Sequence, residues 1–507
     1  MNRIVSLFLF FFFCATTTAY AEEMAMYRLQ LIDKGDAPYR TDQPEAFLSP
    51  KSIERRIKQG FPVDETDLPV DPAYFDAIAG TGASVKASSK WLKTIVALVP
   101  GPDVLMKIQE LPFVGGVTKV WSGESEGMEY PDKKNRNDEA QSADNVASDY
   151  GGALKQIEIN NALLLHQAGY RGSGKTIAVL DAGFKNVDRL PDFFDPDKII
   201  EAKNFTHEEG SPYRIEQSHG TAVLSCLLAD SPGVMIGTAP GSQFYLFKTE
   251  VNGEEYPVEE DYWVAALEYA DSLGVDIVTT SLGYFWFDDP TMNHTWDELD
   301  GQTVPASRAA AMAASKGMVL FHSAGNEGAR EWQKVIIPAD AEHILTVGAV
   351  ESDSLRASFS AWGSIVNGRL KPDVMAMGRD VCLISSSGIV YYSNGTSFSA
   401  PVLAGMGACL WEALPGLTSF ELIALIKRFS DRSAQPDEYF GYGIPNIYEA
   451  YLFQKGASAL LPSLNGDEAD KIYWDAVLDR LCLKTDAFVR ATVFSVDGSV
   501  VLDQAAV

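Results

Sequence analysis

Runs of apolar residues of strand length punctuate the middle of this chain. They are TIAVLD (176–181), QFYLFK (243–248), VDIVTTS (275–281), GMVLFHS (317–323) and HILTVGAV (343–350). Continuous rather than alternating hydrophobicity suits strands buried on both faces, as in a parallel sheet covered by helices. Longer stretches with helical periodicity lie between them, DYWVAALEYADSLG (261–274) and SRAAAMAASKG (307–317) among them. Strand–helix alternation of this kind predicts an α/β domain, a doubly wound and mostly parallel sheet with its site at the carboxyl ends of the strands.

The flanks are patterned differently. MYRLQLI (26–32), SPKSIERRIKQG (49–60), LKTIVALV (92–99), DVLMKIQEL (103–111) and VGGVTKVW (114–121) predict strand, helix, strand, helix, strand. That is a small α+β unit over residues 22–121. Residues 122–149 lose almost all aliphatics and read as an accessible linker, its KKNR run (133–136) a solvated charge cluster. The α/β domain then occupies 150–456. A β-rich tail over 457–507 contains FVRATVFSVDGSVVLD (488–503).

Residues 1–21 stand apart. Arg3 precedes an apolar run from Ile4 to Ala15, and Ala19-Tyr20-Ala21 supplies a small-x-small cleavage pattern, so a secretory signal peptide is expected. The run is too short for an ordinary membrane span, and no later segment reaches about 18 uninterrupted apolar residues. Four cysteines follow the leader: Cys226, Cys382, Cys409 and Cys482. Their even number permits two bridges with three pairings, and buried free thiols are equally compatible with the apolar surroundings of Cys226 and Cys409.

Charge narrows the function further. The 507 residues hold 41 Lys+Arg against 69 Asp+Glu, a formal net charge of −28. Such a balance excludes nucleic acid as the expected partner and disfavours an anionic membrane surface. With six His and no CxxC or HExxH pattern, a catalytic transition metal is not expected either.

Four polar residues stand where an α/β site should be. Asp181 ends a strand before Ala-Gly; His219 opens an apolar helix in SHGTAVLS. Asn326 follows a strand in SAGNEG, and Ser397 stands at a Gly-Thr-Ser turn leading into a Gly- and Ala-rich helix. Any one of them alone would read as an ordinary cap or a structural residue. Together they complete one chemistry. A serine hydroxyl becomes nucleophilic only when an imidazole takes its proton, and a carboxylate must fix that imidazole's tautomer. The oxyanion then needs fixed donors, here the Asn326 amide and the N–H at the helix start.

TIAVLDAGF, SHGTAVLS, SAGNEG and NGTSFSAPVLAG, in this order, resemble the signature segments of subtilisin-like serine proteases. The resemblance spans roughly residues 150–454, with KPDV (371–374) and FGYGIPNIYEA (440–450) as further signatures. It implies that Asp181, His219 and Ser397 form the triad and that Asn326 donates to the oxyanion. It also implies that Ser281, Leu282 and Gly283 pair with substrate backbone, and that protein or peptide substrates are hydrolysed without a cofactor. His322 departs from the apolar residue expected before Ser-Ala-Gly-Asn and reads as a satisfied structural histidine. The acidic, aromatic stretch 284–302 is an insertion, read as a solvated loop; a structural calcium there would fall to Asp297, Glu298 and Asp300, although no calcium loop can be named.

The 22–121 unit is similar to propeptides of this family, which aid folding and inhibit the enzyme until cleaved. FLSPKSIERRIKQG, DETDLPV and ASSKWLKTI further resemble exported members from Bacteroidetes-type bacteria. The tail resembles the start of a type IX sorting domain, although the sequence ends at Val507 without the usual closing strand and basic end. The expectation is a secreted or cell-surface serine endopeptidase, made as a precursor and self-processed. Two rivals are an esterase, which would carry Gly-x-Ser-x-Gly, and a catalytically idle binding or adhesin protein of the same fold, which would normally have lost a triad member.

Overall fold

The computed structural model describes residues 24–123 and 149–456 except Ser364, together with backbone strands at 471–475, 480–484, 489–494 and 500–506. The expected leader and almost all of the expected linker lie outside the described residues.

In the N-terminal unit, β1 (Met24–Leu31) is followed by α1 (Pro50–Gln59), α2 (Pro72–Gly80), β2 (Ser84–Ser89), β3 (Thr94–Pro100), α3 (Pro102–Gln109) and β4 (Val114–Ser122). The strands form an antiparallel sheet in the order β2-β3-β1-β4. The expected order thus lacked one helix and one strand. SVKASS offers a single aliphatic residue to the core, so β2 carries almost no hydrophobic signal. Helix α2 does begin with a readable signal, Asp71 capping the Ala73 N–H at 2.9 Å and Pro72 at the first helical position. Helix α1 starts under the Ser49 hydroxyl, which accepts from Ser52 N at 3.1 Å, and stops at Gly60 in the left-handed region.

The large unit is built on β5 (Thr176–Asp181), β6 (Ile199–Asn204), α4 (His219–Leu228), β7 (Gln243–Lys248), α5 (Val258–Leu273), β8 (Ile277–Thr280), α6 (Pro305–Ser315), β9 (Val319–Ser323), β10 (Leu345–Val350), β11 (Val374–Met377) and α7 (Thr396–Ala413). Seven strands run in the order β11-β10-β9-β8-β5-β7-β6, and every pair is parallel. This is the expected α/β architecture, with the two edge strands β6 and β11 as the elements its sequence concealed. All six residues of β5 are buried. After β5 the chain moves to the far edge at β6, returns through β7, and crosses to the other side at β8. Strand order therefore reverses beside β5, which is where an open parallel sheet places its site.

Two hydrophobic layers cover the sheet, one around α4 and α7 and the other around α5 and α6. Helix α7 is buried along nearly its whole length. Gly405 and Gly407 let it approach closely, since a methyl group at either would collide with Thr238 or the Phe321 ring.

The N-terminal unit docks on α5. Met26, Val96 and Val120 pack with Val251, Tyr256, Val258 and Tyr262. Glu268 of α5 accepts from Lys90 N at 2.9 Å, Trp91 N at 3.0 Å and the Ser89 hydroxyl. At the amino ends of the strands, Lys51 Nζ reaches Thr176 Oγ1 at 2.7 Å and Asp276 Oδ2 at 3.0 Å. Arg55 donates to the Val275 carbonyl and to Asp271. Arg56 joins Asp271 at 2.7 Å to Asp67 at 2.9 and 3.0 Å. At the carboxyl ends, the Trp121 indole donates to Glu254 at 2.6 Å, so β4 leads the chain out on the same edge as the candidate site.

The cysteines are resolved in favour of free thiols. Cys226, Cys382 and Cys409 are unbridged and buried, and burial pushes each thiol up, that of Cys382 to about 12. Such thiols stay protonated and inert. The side chain of Cys482 lies outside the described residues.

Candidate active site

Asp181 is the last residue of β5, and its side chain is fully buried. Its Oδ1 accepts from the Ala182 N–H and from His219 Nδ1, both at 2.8 Å. The second bond leaves Nε2 of His219 as the imidazole's open edge. His219 is the first residue of α4, with the Phe398 ring 5.9 Å from its own. Desolvation lowers the basicity of this imidazole, but the Asp181 charge, the hydrogen bond to it and the Glu250 charge outweigh that loss. Its pKa is therefore raised above 6.5.

Ser397 sits in the first turn of α7, with backbone N–H groups and the positive end of the helix dipole around it. Its Oγ donates at 3.4 Å to the Ser281 carbonyl, while the Ser281 hydroxyl donates at 2.7 Å to the Ser397 carbonyl. The 281–283 segment, continuing from β8, is thus tied directly to the serine turn.

Asn326, just beyond β9, is held from the opposite side. Its Oδ1 accepts from Thr396 N at 2.9 Å and from Thr396 Oγ1 at 3.1 Å. The buried Thr396 hydroxyl also accepts from Gly325 N at 3.0 Å. With its oxygen engaged twice, the amide must present its NH₂ group away from Thr396. Thr396 is a residue that sequence reasoning missed, since a threonine before a serine breaks no pattern.

All seven expected site residues stand at the carboxyl end of the sheet. Leu282 packs against the α5–α6 layer, and Gly283 faces Ile336. His322 differs from expectation: Nδ1 bonds the Ser323 carbonyl at 2.7 Å, but the buried Nε2 has no partner among the described residues. Burial lowers its pKa to about 4, so it remains neutral at ordinary pH.

Two of the three acids named for calcium are turned onto their own backbone. Glu298 accepts from Thr295 N, and Asp300 from the N–H groups of Gln302 and Thr303, each at 2.7 Å. Among the described residues, the acids whose carboxylates converge are Glu250, Glu255 and Glu259, within 4.8 Å of one another.

Comparisons with known proteins agree with this geometry. The subtilase family profile matches residues 172–443, and that of the Bacteroidota peptidase S8 propeptide domain matches 26–139. Subtilisin E of Bacillus subtilis (strain 168) is 29% identical over 314 residues, covering 61% of this chain and 74% of its own. The subtilisin of Bacillus pumilus is 30% identical over 292 residues, covering 56% of this chain and 94% of its own.

Proposed function

The chain belongs to the subtilase family and is a subtilisin-like serine endopeptidase with a propeptide domain, and we propose that Asp181, His219 and Ser397 are its catalytic triad and Asn326 its oxyanion donor. Ser397 Oγ attacks the scissile carbonyl carbon as His219 Nε2 takes its proton, and the same proton passes to the leaving amine. Asp181 holds the Nδ1–H tautomer and stabilises the imidazolium. The Asn326 Nδ2–H and the Ser397 N–H receive the oxyanion. Water then hydrolyses the acyl-enzyme by the reverse sequence. Every group in these steps is a side chain or backbone amide, so the chemistry calls for no cofactor.

The observation that carries this reading is the double engagement of Asn326 Oδ1 by Thr396. It leaves the two N–H donors of the amide available to an oxyanion, on the edge that also holds the 2.8 Å Asp181–His219 pair. The weak 3.4 Å bond from Ser397 to Ser281 is exchanged for one to His219 by a rotation of the serine side chain. Residues 281–283 bind the substrate backbone.

The enzyme is exported under the leader at 1–21 and matures by cutting itself within 122–149, which makes the N-terminal unit an intramolecular inhibitor until cleavage. Delivery of the chain to the carboxyl edge by β4 supports that route. The test is intact mass and casein hydrolysis of the secreted protein beside Ser397→Ala. A shortened, active wild type with an unprocessed, inert variant is expected. Equal processing of both, with casein untouched by either, would overturn the reading.

A further inference from the structure

Two backbone segments flank the serine turn. One is 281–283, bound to Ser397 through Ser281; the other is 324–326, bound to Thr396 through Gly325 and Asn326. An extended peptide lying along 281–283 with its carbonyl oxygen at Asn326 sends one side chain between these segments. That side chain belongs to the residue whose carbonyl is attacked. The two walls carry glycine at the facing positions, Gly283 and Gly325, and glycine walls usually leave room for a side chain to enter.

Here the room is already taken. A methyl group on Gly283 would collide with Cδ1 and Cγ1 of Ile336, and one on Gly325 would lie 2.9 Å from its Cγ2. Ile336 is only 9% exposed, so its side chain fills the gap rather than bordering it. Its backbone is fixed as well. Ile336 N donates to the Ala324 carbonyl at 3.1 Å, and the adjacent Ile337 exchanges hydrogen bonds with Tyr284 at 2.9 and 3.3 Å. The branched side chain is stiff at χ1, so it does not swing aside freely.

We propose that Ile336 plugs the space for the side chain on the acyl side of the scissile bond, restricting this protease to cleavage after glycine, alanine or serine. The proposal rests on the protease reading above and concerns its substrate class alone. A large apolar or aromatic residue at that position would have to displace Ile336 or pull its own carbonyl away from Asn326. Either displacement removes transition-state stabilisation and lowers kcat/KM.

The test uses the processed, secreted enzyme on peptide anilides that differ only in the residue before the scissile bond. Wild type should cleave after Ala, Ser and Gly and be slower after Leu and Phe by about 10²-fold, within the range that pocket misfits produce. Ile336→Gly should raise the Phe and Leu rates by an order of magnitude or more and leave the Ala rate comparatively little changed. Ile336→Val, which removes a single methylene from the core, should shift the profile part of the way and guards against a glycine variant that fails to fold. Wild-type cleavage after Phe as fast as after Ala would overturn the proposal, as would an unchanged preference in Ile336→Val and a folded Ile336→Gly. Labelling of Ser397 by a small organophosphorus reagent separates the two failures. A labelled enzyme with the wrong preference refutes the plug, whereas an enzyme neither labelled nor active refutes the protease reading and the plug with it.

Discussion

At the carboxyl edge of the seven-stranded sheet, four side chains from separate segments come together: Asp181 bonds His219, while Ser397 and Asn326 are held through Ser281 and Thr396. At the amino edge, Lys51, Arg55 and Arg56 of the N-terminal unit meet Asp271 and Asp276 of the large unit, while Lys316 reaches back to Asp64 and Asp67. The side chains of Arg55, Arg56, Asp67 and Asp271 are at most 3% exposed. The first edge keeps groups open: Nε2 of His219 and the NH₂ of Asn326. The second leaves almost no charge unpaired, because buried ions are tolerated only when matched. Docking of the N-terminal unit and peptide hydrolysis therefore draw on different chemistry, although both belong to one sheet, and each should be removable without the other.

The largest effect should come from Ser397→Ala, a loss of about 10⁶ in kcat. That magnitude is taken over from subtilisin, the worked case for this triad, and not from the present geometry. The unprocessed variant should keep its N-terminal unit docked and unfold in one cooperative transition, since the hydroxyl makes only the 3.4 Å bond to Ser281. An undocked N-terminal unit would break the separation of the two edges.

Asp271→Ala should do the reverse. It strips a carboxylate from two buried guanidiniums, at a cost of about 3–5 kcal/mol to the precursor, read by denaturant unfolding in the unprocessed Ser397→Ala background. Once the N-terminal unit has gone, turnover by the processed enzyme should match wild type. Asn326→Ala comes next, slowing kcat by about 10²–10³, or roughly 2.7–4 kcal/mol, again a figure taken over from subtilisin. Its KM should change little, because the donor acts on the oxyanion. An unslowed variant would remove Asn326 from its role.

These experiments also divide what could be read in the sequence from what could not. TIAVLD and QFYLFK coincide with β5 and β7 because strands buried on both faces leave an unbroken apolar record. The polar site residues stood out because each interrupts such a record at a strand end or a helix start. Thr396 and Ile336 were invisible for the opposite reason. A threonine before a serine and an isoleucine among apolar neighbours break no pattern, and their roles appear only when segments about 50 to 70 residues apart meet. The docking pairs were hidden in the same way. Arg56 and Asp271 are 215 positions apart, and each alone reads as an exposed helix charge. The β2 strand and the edge strand β6 escaped notice because neither buries a continuous apolar face, and β11 because its buried apolar run is only four residues long.

The smallest expected effect concerns the pH at which the carboxyl edge becomes active. His219 must be neutral to accept the serine proton, so kcat/KM should rise with pH through its native pKa, which lies above 6.5. Desolvation acts against that rise, Asp181 is the main cause of it, and the Glu250 charge adds the rest. Glu250→Gln keeps an oxygen to accept the 2.8 Å bond from the Tyr284 hydroxyl and removes only the charge. The midpoint of the kcat/KM profile should therefore move to lower pH, with the plateau little changed. Stability should respond with the opposite sign. A histidine whose native pKa is raised stabilises the fold fully below its unfolded value near 6.5, and that contribution is lost as pH rises through the native pKa. The same imidazole thus adds less stability over the window in which activity appears, and the Gln variant should shrink that stability contribution as it moves the activity midpoint down. A midpoint that stays fixed or moves upward would show that Glu250 does not act on His219, confining the electrostatics of the carboxyl edge to the Asp181–His219 pair.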